Sequence, residues 1–183
     1  MKKLLCLVFV YSTVTSLIAQ GGNLFSTRSG TINFRSDAPY EIIKASSKEL
    51  TGLLDVTKMT FAFKVRIQTF QGFNSALQKE HFNENYLQSN KFQEATFSGK
   101  IIEDVDLSTE GSYAVRAKGN LVLHGISQER IIKTDIQVKK GSINVSSDFT
   151  IMLSDHNIPV PRVVKDKLAA EIKVNVLAQL TPR

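Results

Sequence analysis

The run Thr60-Phe61-Ala62-Phe63-Lys64-Val65-Arg66-Ile67-Gln68 decides the fold class. Phe61, Phe63, Val65 and Ile67 fall on every second position, with polar or small residues between them. A period of two sends one set to each face of an extended strand, whereas a helix would scatter the four apolar side chains around its axis. The alternation recurs in Ile32 and Phe34, in Tyr113, Val115, Ala117, Leu121 and Leu123, and in Ile132, Ile136 and Val138. It returns in Ile143, Val145, Phe149, Ile151 and Leu153, and again in Ile172, Val174, Val176 and Leu180. Shorter runs around 41–45, 50–55 and 95–102 bring the count to about eight or nine strands. Strands with one apolar and one polar face belong to antiparallel sheets, because parallel strands are covered on both faces and read as unbroken apolar runs.

The turns agree. Lys139-Lys140-Gly141-Ser142 separates two runs by so little that they must be antiparallel neighbours, and Glu110-Gly111-Ser112 opens another. Between 72 and 90 the alternation stops. There Ser75, followed three residues later by Gln78, has the form of a capping box and predicts a short helix in the 74–88 connection, seated on the sheet by Leu77 and Phe82. Pro159 and Pro161 disqualify 154–167 as a central strand and predict a loop or short helix. The runs 113–124 and 142–154 extend about 40 Å each at about 3.3 Å per residue. Strands of that length are aggregation-prone with an open edge, and closing the sheet removes the edge. The pattern therefore predicts an all-β antiparallel fold, either a sandwich of two sheets or a closed barrel, and the length of the strands favours a barrel of about eight. Such a barrel is either filled by side chains or holds one small ligand, and periodicity does not choose between them.

Composition bounds the rest. The chain has 183 residues, 42% hydrophobic and 22% charged, with 10 Gly and 4 Pro, which excludes disordered, collagenous and low-complexity classes and fits one domain. The 23 Lys and Arg exceed 17 acidic residues without forming dense clusters, so nucleic acid is not an expected partner. At the N-terminus Lys2 and Lys3 precede an apolar run from Leu4 to Val10, a hydroxylated stretch from Ser12 to Ser16, and Ala19. This is the order of a secretory signal peptide, and the run is shorter than the roughly 20 residues of a membrane-spanning helix. Residues 1–19 are thus expected to be a cleaved signal peptide, cut near Ala19, leaving 20–183 as a single periplasmic or secreted barrel domain with no stable membrane span. Cys6 lies in the leader, so the exported chain has no disulfide and no thiolate metal site.

Candidate chemistry is sparse. His81, His124 and His156 stand at no metal-ligand spacing, and neither a metal nor a cofactor is expected. Ser154, Asp155 and His156 are sequence neighbours, whereas a triad needs side chains that converge, so no catalytic residue and no enzymatic activity is expected. Glu80 and His81 are expected on an exposed helix face, His124 in a hydrogen bond to backbone at a strand end, and Gly125 in a turn. Lys139, Lys140, Arg162, Lys165 and Lys167 make the later half basic. Such residues form a solvated face or, at a barrel mouth, pair with a phosphate or carboxylate head group.

The segment Gly119-Asn120-Leu121-Val122-Leu123-His124-Gly125-Ile126-Ser127 resembles the Gly-x-Leu-x-Ile/Leu-His-Gly-Val/Ile-Thr/Ser signature of the YceI-like family. Tyr86-Leu87-Gln88-Ser89-Asn90-Lys91-Phe92, followed by Ala95-Thr96-Phe97, is similar to that family's His-Leu-x-Ser segment, aromatic stretch and next strand, with Tyr86 where His is frequent. The resemblance covers about residues 28–180. It implies an eight-stranded lipocalin-like barrel, exported, whose members bind a polyisoprenoid or related lipid. On that reading the protein carries a long-chain apolar or amphiphilic lipid without catalysis. The inward set Phe61, Phe63, Val65, Ile67, Phe97, Leu121, Leu123, Phe149, Ile172 and Val174 would line the cavity. The alternative is a structural or interaction protein with a filled core that acts through its surface loops. A cavity of about 300 Å³ or more favours the carrier; packing at crystal density favours the alternative.

Overall fold

A computed structural model describes residues 23–183. The expected signal peptide, Cys6 included, lies outside the described residues. Eight strands follow one another: β1 (Leu24–Asp37), β2 (Ile42–Asp55), β3 (Thr60–Arg66), β4 (Glu94–Ile101), β5 (Gly111–Leu123), β6 (Ile126–Lys139), β7 (Ser142–Met152) and β8 (Glu171–Pro182). Each pairs antiparallel with its neighbours in sequence, and β8 returns to pair with β1, so the sheet closes into a barrel. The outer wall is polar, with ion pairs running across adjacent strands: Lys64–Glu94 at 2.8 Å and Lys118–Glu129 at 3.3 Å. Exposed pairs of this kind contribute little stability each, but they mark the outer face as one that meets water.

The runs 41–45 and 50–55, which read as separate strands, belong to one strand, β2. Gly30 faces Leu50 while Ile32 faces Ser47, so β2 carries one extra residue there; Thr27 faces Gly52, so β1 carries an extra residue one step further on. Each bulge shifts the in-and-out alternation by one position, which breaks the period-two signal without ending the strand.

Two hairpins set the register. Lys139 faces Ser142 across Lys140-Gly141, with Gly141 at φ +74. Leu123 faces Ile126 across His124-Gly125, whose φ values of 51 and 73 give the two left-handed positions that match the twist of a tight hairpin. The signature-like segment is therefore the end of β5, a two-residue turn and the start of β6. Gly119 at its head faces Gly99 of β4. A β-carbon on Gly119 would strike the Ser98 carbonyl oxygen, and one on Gly99 the Lys118 carbonyl oxygen, so both positions exclude side chains.

One end of the barrel is covered. The connection between β3 and β4 forms α1 (Ala76–His81) and a π-helical turn over Phe82–Tyr86. The capping pair forms as the sequence predicts: Gln78 N donates to Ser75 Oγ at 3.1 Å, and Asn74 N donates to Gln78 Oε1 at 3.0 Å. Phe82 anchors the connection, its ring 5.3 Å from Phe34, 5.7 Å from Phe70 and 5.0 Å from Phe73 between centroids. Leu77 does not help to seat the helix and is 58% exposed. Five residues of helix place it about 140° around the axis from Phe82, on the far side. The connection between β7 and β8 covers the rest of this end with two 3-10 turns, Leu153–His156 and Arg162–Val164, so the segment with two prolines is irregular, as expected.

Candidate functional site: the apolar interior

The inward faces enclose two adjoining lobes, with cavity volumes of about 110 Å³ in the middle of the barrel and about 150 Å³ beneath the covered end. Phe61, Phe63 and Phe97 line the first; Ile67, Leu123, Ile172 and Val174 line the second; Val65, Leu121 and Phe149 line both. All ten residues expected at the cavity wall thus point inward. Val65, Ile67, Phe61, Leu121, Ile172 and Val174 are buried, while Phe63, Phe97, Leu123 and Phe149 are half-buried beside the space. Ile32 and Ala95 also border both lobes, so four small or branched apolar side chains and one phenyl ring stand at the junction between them.

Sequence reasoning missed much of the covered end. Tyr86 and Leu87 from the helical connection, and Ile158 and Leu168 from the segment before β8, line the second lobe. They lie on irregular backbone, where no period marks a face. The available signal was local: Ile158 and Val160 interleave with Pro159 and Pro161, an apolar stretch too stiff for a strand and too apolar for a solvated loop.

The interior is suited to chains of carbon. Neither lobe reaches 300 Å³, nor do the two together, yet neither is packed shut. A cavity of about 150 Å³ lined by Leu, Ile and Phe stays dry and accepts a benzene-sized guest. Two such spaces in line suit a narrow flexible tail rather than one broad rigid molecule. Two hydroxyls at the first lobe bond to backbone: Ser147 Oγ donates to the Lys133 carbonyl at 2.7 Å, and Thr134 Oγ1 to that of Ile132 at 3.4 Å.

His124 and His156 each bond to backbone. His156 is fully buried, its Nδ1 3.2 Å from the Ile126 carbonyl oxygen; His124 Nδ1 lies 3.0 Å from the His156 carbonyl oxygen. A carbonyl only accepts, so each ring carries its proton on Nδ1. Burial pushes the His156 pKa below its ordinary value, and the Ile126 and Leu123 carbonyls oppose that shift in part. The pair fastens the 153–158 turn to the His124-Gly125 hairpin, and Phe92 packs edge-on against His124 at 4.7 Å. Ser154, Asp155 and His156 do not converge: His156 Nδ1 is committed to Ile126, and the Asp155 carboxylate faces Arg130 at 3.5 Å. Glu80 and His81 are exposed, as expected. Among the described residues no group of three His, Cys, Asp or Glu is placed to hold a metal. The basic residues divide between the ends, Lys139 and Lys140 beside the β6–β7 hairpin at the opposite end and Arg162, Lys165 and Lys167 on the covered end.

Beyond Asp135–Ser146 the β6–β7 ladder stops, and side chains take over the joint. Arg130 Nη2 donates to the Thr150 carbonyl at 2.7 Å, and Gln128 Nε2 to that of Asp155 at 2.8 Å. These bonds tie the covering segment to the barrel wall.

A closed antiparallel barrel of eight strands, wet outside and apolar within, with one end covered by irregular segments, defines a lipocalin-like class of protein. The YceI-like domain model matches residues 12–180, and the chain belongs to that family. It is similar in structure to a polyisoprenoid binding domain from Saccharophagus degradans implicated in plant cell wall breakdown (12% identity, TM-score 0.74, covering 88% of this chain and 99% of that one). Burkholderia cenocepacia BcnA is also similar (12% identity, TM-score 0.67, 83% and 96% covered). The Campylobacter jejuni YceI protein gives 15% identity and a TM-score of 0.60 over 100% and 99% of the two chains. No curated protein matches in sequence. No helix among the described residues is long and apolar enough to cross a membrane.

Proposed function

We propose that this protein binds and carries a long-chain apolar or amphiphilic lipid, isoprenoid-like in its narrow branched tail, without catalysing its conversion. The observation that carries this reading is the pair of adjoining apolar lobes running from mid-barrel to the covered end. Burying each CH₂ contributes about 0.8 kcal/mol, so a ten-carbon tail gathers about 8 kcal/mol before the cost of immobilising it. The ten inward residues serve as wall, and they select width and length instead of chemistry. Tyr86 is the half-buried tyrosine that lines the second lobe. Burial holds its phenol above the ordinary tyrosine pKa, so it stays protonated and is able to donate to a head group. The description of the Saccharophagus degradans relative as a polyisoprenoid binding domain supports the same ligand class. Carriage belongs outside the cytoplasm on this reading, with residues 1–19 removed near Ala19; the intact mass of the exported protein checks the cut.

The test is displacement of a fluorescent apolar probe, N-phenyl-1-naphthylamine, by farnesol. Saturable probe binding to the folded protein, displaced by farnesol and not by glycerol, is expected. Failure of the folded protein to take up either molecule would overturn the carrier and favour an interaction protein acting through its loops.

A further inference from the structure

The covered end of the barrel is apolar on its outer surface as well as beneath. Tyr40 is 81% exposed and Val163 is 90% exposed. Ile42 and Leu77 are also exposed large hydrophobic residues. These residues sit on three segments that hydrogen bonds join into one rim. Tyr40 N donates to the Asp166 carbonyl at 2.9 Å, Asn74 Nδ2 donates to the Ile42 carbonyl at 3.0 Å, and Gln78 Nε2 donates to Glu41 at 2.9 Å. The opposite end has Ile102 alone of this kind among the described residues. Single exposed apolar side chains need no explanation, but four on one tied rim directly over a cavity do.

Charge says what meets them. Val163 stands in Arg162-Val163-Val164-Lys165-Asp166-Lys167, where three exposed cations accompany one exposed anion. Among the described residues none of those cations is in a salt bridge, whereas nearby Asp37 is bonded by both Arg35 and Lys173, and Glu41 accepts from Gln78. Lys79 stands with Glu80 and Glu84 on the helical side, whereas in 162–167 three exposed cations meet the single anion Asp166. Apolar tips flanked by cations, with a tyrosine beside them, are the chemistry of segments that rest in the head-group layer of an anionic bilayer. The same segment turns Leu168 inward to line the second lobe, with Leu168 N bonded to the Val164 carbonyl at 2.9 Å.

We propose that the covered end is a membrane-docking face, in which Tyr40 and Val163 enter the head-group layer of an anionic lipid surface while Arg162, Lys165 and Lys167 bind its phosphates. The proposal deepens the carrier reading and rests on it: a tail passing between bilayer and cavity would cross at the segments that both touch the membrane and roof the lobe.

The chain has no tryptophan, so single-tryptophan variants report insertion without background. V163W and Y40W, with I102W at the opposite end, are mixed with phosphatidylcholine vesicles with and without about a third phosphatidylglycerol. The expected result is a blue-shifted emission for V163W and Y40W on the anionic vesicles alone, none for I102W, and reversal by 0.5 M salt, as screening of phosphate contacts requires. In co-sedimentation, each of K165E and K167E is expected to weaken vesicle binding about fivefold or more. An unshifted V163W, or an equal shift for I102W, overturns the proposal. Self-association that V163D abolishes, without vesicle binding, assigns the face to a second copy and overturns it too. Probe uptake without vesicles separates the two readings. Uptake with no vesicle binding refutes docking and leaves the carrier standing; vesicle binding by folded protein that takes up no probe refutes the carrier.

Discussion

Ala95→Leu tests whether the interior is space. Ala95 on β4 faces Val65 on β3 and borders both lobes, so a larger side chain there grows into the junction. At about 24 cal/mol per Å³, lobes of about 110 and 150 Å³ correspond to about 2.6 and 3.6 kcal/mol of packing that the empty barrel forgoes. Leucine adds three carbons, worth about 2.4 kcal/mol at 0.8 per group, and an imperfect rotamer returns about 1 kcal/mol of that. The ligand-free variant should therefore be more stable by about 1–2 kcal/mol. Urea unfolding followed by circular dichroism reads this as a higher midpoint at unchanged slope. The same side chain occupies the route between lobes, so farnesol affinity should fall about tenfold or more, equivalent to about 1.4 kcal/mol. A variant destabilised by about 1–3 kcal/mol, the mark of overpacking, would show that Ala95 has no room in front of it and would refute the reasoning.

Three further outcomes follow from particular contacts. Burial holds the folded-state pKa of His156 below its unfolded value, so its contribution to stability is complete above the unfolded pKa and is lost as pH falls toward and through the folded one. Thermal midpoints of the parent should drop between pH 7 and pH 5, and those of His156→Gln should drop less; parallel curves would refute the assignment. Gly119→Ala puts a β-carbon against the Ser98 carbonyl across β4–β5 and should cost about 3 kcal/mol in chemical denaturation, with a neutral result ruling out the close approach. Phe82→Ala removes the ring that Phe34, Phe70 and Phe73 surround, so hydrogen exchange should quicken over 76–86 while β5 and β6 stay protected. Quickening confined to the barrel strands, with 76–86 unchanged, would contradict its role as the anchor of the covering segment.

What the sequence disclosed follows from where period two operates. On β3, β5, β7 and β8 the alternation is unbroken, and it placed Phe61, Val65, Leu121, Phe149 and Val174 on the interior. On β1 and β2 the bulges at 27–30 and 47–50 shift the phase, so one strand read as two. The helical connection was announced by Ser75 and Gln78, whose bonds are local. Which of its apolar residues faced the barrel was not announced, because Leu77 and Phe82 differ only by rotation about a short axis. Tyr86, Ile158 and Leu168 reach the cavity through backbone of no fixed period, and only the closed structure brings them together. The His124-Gly125 turn was legible as a motif, whereas its bond to the His156 carbonyl spans 32 positions and has no local signature.

The central claim is that the interior holds a lipid tail, and native mass spectrometry of protein purified without detergent from the cells that make it tests this most directly. Collisional release and solvent extraction then identify anything bound. A stoichiometric adduct that proves to be a long-chain isoprenoid or acyl lipid is expected, with its occupancy lowered in Ala95→Leu. A bare mass that persists after incubation with both lipid classes would contradict it.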